Sequence, residues 1–152
     1  MPDLLTHFSV AYLLRRNAKT PHLRATFYLG AILPDIVTRP VYILYPKAFW
    51  AIMPLHTPIA LTLLCLLISY VFHNSIRKIV FANLTLGVYL HLFLDLFQKH
   101  ITPEYRWLFP FSWKAYEIGL FWPEASLYAL PFVIAIVMIM EFIIWIRQRC
   151  MN

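Results

Sequence analysis

Glycine and charge are what this sequence has least of. Only three glycines occur in 152 residues, and 13% of the residues are charged. A typical globular domain carries about 25% charged residues and roughly 45–50% apolar ones. Here 61% are hydrophobic. A soluble chain of this length lacks the interior to hide so many large side chains, so the composition excludes an ordinary water-soluble fold and makes lipid the solvent. Cysteine is scarce as well. Cys65 within an apolar segment and Cys150 at the tail form no disulfide framework and no thiolate site for a soft metal. Linkers, repeats and low-complexity tracts are also missing, which leaves residues 1–152 as one domain.

What the chain has in excess is positive charge, +6 overall. The basic residues form no continuous stripe for nucleic acid and sit between apolar segments, where they mark topology. The N-terminal stretch is not read as a secretory signal, because Asp3 stands where a basic region belongs and Arg15 and Arg16 follow the apolar residues. Crossing a hydrocarbon core takes about 20 helical residues, and three segments qualify, near 55–73, 79–98 and 126–146. Two shorter helices, near 4–16 and 22–34, form a hairpin before them, with Pro34 and Pro40 expected to end the second. The expected fold is all-α: a polytopic helical membrane protein with a short N-terminal helical hairpin and three longer transmembrane helices.

Counting Lys and Arg by side orients that arrangement. Eight (Arg15, Arg16, Lys19, Arg24, Arg77, Lys78, Arg147 and Arg149) fall on the side of the hairpin turn. Five (Arg39, Lys47, Lys99, Arg106 and Lys114) fall opposite. The positive-inside rule makes the first side cytoplasmic, with the C-terminus there and the N-terminus across the membrane. The 99–125 loop then lies outside, and its aromatics, Trp107, Trp113 and Trp122 among them, suit the headgroup region.

Ionisable groups inside spans are costly, at roughly 2.5–3.5 kcal/mol each for Asp, Lys or Arg by insertion scales. His91 and Asp95, four residues apart, share one helix face. The spacing suits two metal ligands, a carboxylate orienting a metal-bound imidazole, or a buried hydrogen bond that only ties helices together. His7, Asp35 and His56 fall on the same side of the membrane in this topology. Three His and two Asp form a donor set for zinc, manganese or iron. His22 and His73 read as interfacial residues, His100 as a loop residue near the favoured side, and Asp3 as a helix-start carboxylate four residues before His7.

Thr6-His7, Gly30-Ala31-Ile32-Leu33-Pro34-Asp35, His56-Thr57, Gly87 through Asp95 and Leu108-Phe109-Pro110-Phe111-Ser112 together resemble the membrane-bound metal-dependent hydrolase family. The likeness runs in order over about residues 1–115. The ligand order is similar to that of zinc-dependent phospholipases C. That resemblance implies that Asp35, His56, His91 and Asp95 hold one metal, with Asp95 bridging to a second that His7 also binds. The chain departs from the family where Val37 replaces a second acid and in the segment around His56, Met53-Pro54-Leu55-His56-Thr57-Pro58.

The functional expectation is a membrane-bound hydrolase using a divalent metal, zinc first, on a phosphate ester of a lipid or amphiphile. Asp35 and Asp95 are the candidate catalytic residues. Membrane lipids are the expected partners, nucleic acid is not, and the expected location is a bacterial inner membrane with the metal site facing away from the cytoplasm. Two other readings remain: a non-catalytic structural member, and a metal-ion or proton transporter, for which Glu141 is the intramembrane acid outside the cluster.

Overall fold

Lipid offers backbone amides no hydrogen-bond partner, so a chain of this composition must satisfy them internally. A computed structural model describes residues 4–16, 20–99 and 106–151, apart from a few side chains, His22 among them. Over these residues the chain forms six α-helices and no strand. They are α1 (Leu4–Arg15), α2 (Pro21–Leu44), α3 (Phe49–Ile52), α4 (Pro58–Tyr70), α5 (Asn74–Phe97) and α6 (Pro123–Met151). Short 3-10 turns, Pro46–Ala48 and Met53–His56, flank α3.

Two expectations need correction. Pro34 and Pro40 do not end the second helix, because α2 continues through both to Leu44. Each proline removes one intrahelical hydrogen bond, but stopping a helix in apolar surroundings would strand several backbone groups at once. The helix wins. Asp35 and Arg39 therefore stand inside a helix and not beyond its end. The segment 55–73 is likewise not one straight helix. Thr57 is extended (φ −114°, ψ 153°), as the residue before Pro58 should be, and α4 starts afresh with Pro58 in its first turn. The two parts, Trp50–His56 and Pro58–Tyr70, meet at 72°. By length and composition α5 and the Leu127–Cys150 part of α6 can each cross a membrane, and the bent pair makes a third span if counted as one.

The core is a seam between α2, α4 and α5, with Leu33, Leu61, Cys65, Val80, Leu84, Val88 and Leu92 buried in it. Two of the three glycines bring its main helices together. A Cβ on Gly30 would strike the backbone carbonyl of Leu84, and one on Gly87 would strike the backbone of Phe27 and Ala31. The α2 and α5 backbones are thus in direct contact, the small-residue crossing that packs helices in lipid.

Helix α6 is attached differently. Tyr12 donates to Glu141 Oε1 at 2.6 Å, and Arg16 pairs with the same oxygen at 3.1 Å. Most of α6 faces outward, with Tyr128 and Phe132 over 70% exposed, as a lipid-facing helix should be. Arg15 similarly donates to Asn83 of α5 at 2.7 Å.

Replacing Gly87 with Ala should force α2 and α5 apart and lower stability by about 1–3 kcal/mol, the usual cost of overpacking. Thermal unfolding in detergent would measure it, and an unchanged midpoint would mean that the crossing is not tight.

Candidate metal centre

Four separate elements deliver the polar residues to one point. His7 comes from the first turn of α1, Asp35 from the middle of α2, and His56 from the 3-10 turn that the extended Thr57 separates from α4. His91 and Asp95 come from the last two turns of α5, one and two turns beyond Gly87. The glycine crossing sets their depth. His7, Asp35, His91 and Asp95 are all at most 2% exposed, and the side chain of His56 is 10% exposed.

Asp95 is the hub. His56 Nε2 and His91 Nε2 each lie 3.2 Å from its Oδ2, and His7 Nε2 lies 3.3 Å from Oδ1. Asp35 faces His91 across 3.9 Å through Oδ1, while Arg39, one turn on along α2, holds Oδ2 at 2.7 Å. The rings of His7 and His91 stack at 3.9 Å.

The outer nitrogens decide the proton positions. His91 Nδ1 is 2.8 Å from the carbonyl oxygen of Ala31, which can only accept, so Nδ1 carries the proton. Thr38 uses its own proton on Pro34 O at 2.8 Å, leaving its oxygen to accept from His56 Nδ1 at 3.4 Å. In the neutral rings both Nε2 lone pairs then point at carboxylate oxygens. Acceptor faces acceptor. His91 Nε2 and both nitrogens of His7 are buried and have no hydrogen-bond partner in the structure. Leaving such groups unsatisfied costs about 1–3 kcal/mol each.

A cation among them, a proton on an imidazole or a metal ion, would resolve the conflict. Metal–ligand bonds of about 2.0–2.2 Å in tetrahedral array put neighbouring ligand atoms roughly 3.3–3.6 Å apart. The 3.2–3.9 Å separations here are of that size and exceed a charge-assisted hydrogen bond of about 2.7–2.9 Å. Two overlapping sets have ligand atoms within 4.8 Å of one another: His7, Asp35 and His91, and His56, His91 and Asp95. The donor chemistry fits a divalent metal, with the Nδ1 acceptors orienting the imidazoles from behind.

All five candidate residues of the sequence thus lie together. Asp3 and His100, and the side chain of His22, lie outside the described residues. His73 stands apart as the N-cap of α5, accepting from the Ser75 amide. Val37 packs on the apolar seam, about 200° around α2 from Asp35, so an acid there would point away from the cluster. Sequence reasoning missed Thr38 and Arg39 as partners of the cluster. The Asp35–Arg39 spacing of four was readable only once the helix was known to pass Pro34. Gln98, one turn beyond Asp95, is fully buried, and neither of its amide atoms has a hydrogen-bond partner.

A family model described as YdjM inner membrane protein matches residues 3–151. The chain belongs to the YdjM inner membrane protein family. No curated protein and no solved structure matches it. Membership agrees with the two or three candidate spans and with the excess of apolar surface. In this YdjM-family chain the His and Asp groups that could hold a metal come from α1, the middle of α2, the 3-10 turn before α4 and the last turns of α5.

Replacing Thr38 with Val keeps the shape and removes the acceptor behind His56. Metal affinity should fall about 10–100-fold, as with other residues that orient a ligand. Competition with a chromogenic chelator would measure it, and an unchanged affinity would remove Thr38 from the site.

Proposed function

We propose that this protein is a membrane-bound, metal-dependent hydrolase that cleaves a phosphate ester of a lipid or amphiphile. The observation that carries the reading is the set of buried imidazole lone pairs facing carboxylate oxygens at metal-ligand spacing. His7, Asp35, His56, His91 and Asp95 would hold the ion, and zinc suits these donors, with manganese or iron as substitutes. A divalent cation there would supply water activation near neutral pH and neutralise charge growing on a phosphoryl oxygen.

The residues divide the remaining work. Asp95, approached by imidazoles on both oxygens, fixes three histidines in one geometry. Asp35 is held through Oδ2 by Arg39 and turns Oδ1 toward the centre, where it is the better placed proton acceptor. Four of the five sit buried on α-helices, which keeps them from relaxing toward solvent.

The transporter reading finds less support. It needs polar groups that continue across the membrane, and Glu141 is already engaged by Tyr12 and Arg16. On orientation, Arg39 is paired with Asp35 and Arg16 with Glu141, so one leaves each side and eight against five becomes seven against four. We therefore place the C-terminus in the cytoplasm and the His/Asp end on the opposite side. Residues 1–152 act as one unit in this reading.

Elemental analysis of purified protein should find zinc, manganese or iron, and Asp95→Asn should lose both the metal and phosphodiester cleavage in detergent. A metal-free, inactive preparation indifferent to His91→Ala would overturn the proposal in favour of a structural cluster.

A further inference from the structure

His7 belongs to two neighbourhoods. One face of it meets Asp95 and His91 in the cluster. It also lines a cavity of about 300 Å³ between α1, α5 and the start of α6. Leu94, Phe97, Phe121, Ala125 and Ala129 make the rest of its wall almost wholly apolar, with Thr6 beside His7. Phe121 is fixed there by backbone pairing: Leu120 N donates to Phe97 O at 2.7 Å and Lys99 N to Phe121 O at 2.8 Å. Ala125 and Ala129, one turn apart on α6, keep the slot open where larger residues would fill it.

We propose that this cavity binds one hydrocarbon chain of a membrane amphiphile, seated so that its phosphate head group lies against His7 and the His/Asp cluster. The assignment deepens the hydrolase reading and rests on it for the position of the reacting bond. Three observations carry it. The cavity wall is apolar throughout, as a hydrocarbon chain requires, and His7 belongs both to that wall and to the cluster, so a chain seated there ends beside the cluster. Its wall joins α1 and the end of α5 to the first turns of α6, a helix whose Leu127–Cys150 part is long and apolar enough to cross a membrane, so the cavity borders a lipid-facing helix. Its volume of about 300 Å³ gives room for a hydrocarbon chain. The substrate class is therefore a phosphate ester that carries a hydrocarbon chain.

The test uses the full chain in detergent or nanodiscs and a long-chain alkyl phosphate carrying a diazirine in its tail. Photolysis should label the Phe121–Ala129 segment. A long-chain alkyl phosphate should compete, and a long-chain alcohol or a short-chain phosphate should compete poorly. Ala129→Trp, which fills the slot, should weaken labelling about tenfold for each pair of methylenes kept out. Ala129→Leu is the milder variant if tryptophan prevents folding, and a unimodal gel-filtration profile verifies the fold of either. Specific labelling without any hydrolysis would leave the chain site standing and remove the hydrolase reading. Equal competition by alcohol and phosphate, or labelling indifferent to both variants, would show ordinary lipid packing and overturn the inference. Hydrolysis of soluble esters with no preference for chain length would also overturn it and spare the enzyme.

Discussion

The contact on which the arrangement depends is backbone against backbone, where α2 and α5 cross at Gly30 and Gly87. A methyl group on either would meet main-chain atoms and not a side chain that could turn aside. That closeness lets a main-chain acceptor on one helix reach an imidazole on the other. Ala31, next to Gly30, offers its carbonyl to His91, one turn beyond Gly87. The bond fixes the ring's proton on Nδ1 and turns Nε2 inward. Pro34 sits in the next turn of α2, where its missing amide leaves the Gly30 carbonyl without its usual partner and loosens the helix. The scarcity of glycine in the sequence thus has a counterpart in the fold: two of three glycines are spent on one crossing.

Polar groups in this molecule form two layers with apolar packing between them, and the layers differ in kind. At one end Tyr12, Arg16 and Glu141, with Arg15 and Asn83, meet as donor to acceptor and cation to anion. Those pairs are complementary as they stand, and their effect is to tie α6 and α5 to α1. At the other end His7, His56 and His91 turn toward Asp35 and Asp95, and in neutral His56 and His91 the proton positions put lone pairs against oxygens. A cluster kept only to join helices would gain most from complementary partners, because unpaired polar groups in low dielectric cost more than their pairing returns. The contrast between the layers supports a ligand for the second and none for the first.

Much of this was legible in the sequence. The His91–Asp95 spacing, the alternation of helix direction and the apolar lengths sufficed to bring five residues to one side. The helix boundaries were less legible. Proline rules derived from water ended the second helix at Pro34, and in lipid the cost of stranded carbonyls reverses that balance. Losing the helix there also hid Arg39 and Thr38, whose partners lie on the next turn. The break at Thr57 was written in Pro54 and Pro58, yet hydropathy averaged across it. Gln98 carried no signal, because only three-dimensional burial distinguishes it from an ordinary polar residue at a helix end.

Access to so buried a centre is the remaining constraint, and the two sides of the cluster differ. Four of the five residues are at most 2% exposed, whereas the side chain of His56 is 10% and that of Arg39 is 23% exposed. That edge is polar and cationic, suited to water and to a departing anion. On the far side His7 opens on the apolar cavity beneath Phe121. Water and hydrocarbon therefore approach from different directions and meet only at the imidazoles. A hydrolase working at a bilayer must bring together reactants that do not share a solvent. In the proposed hydrolase, placing the five residues between a polar edge and an apolar slot would meet that requirement.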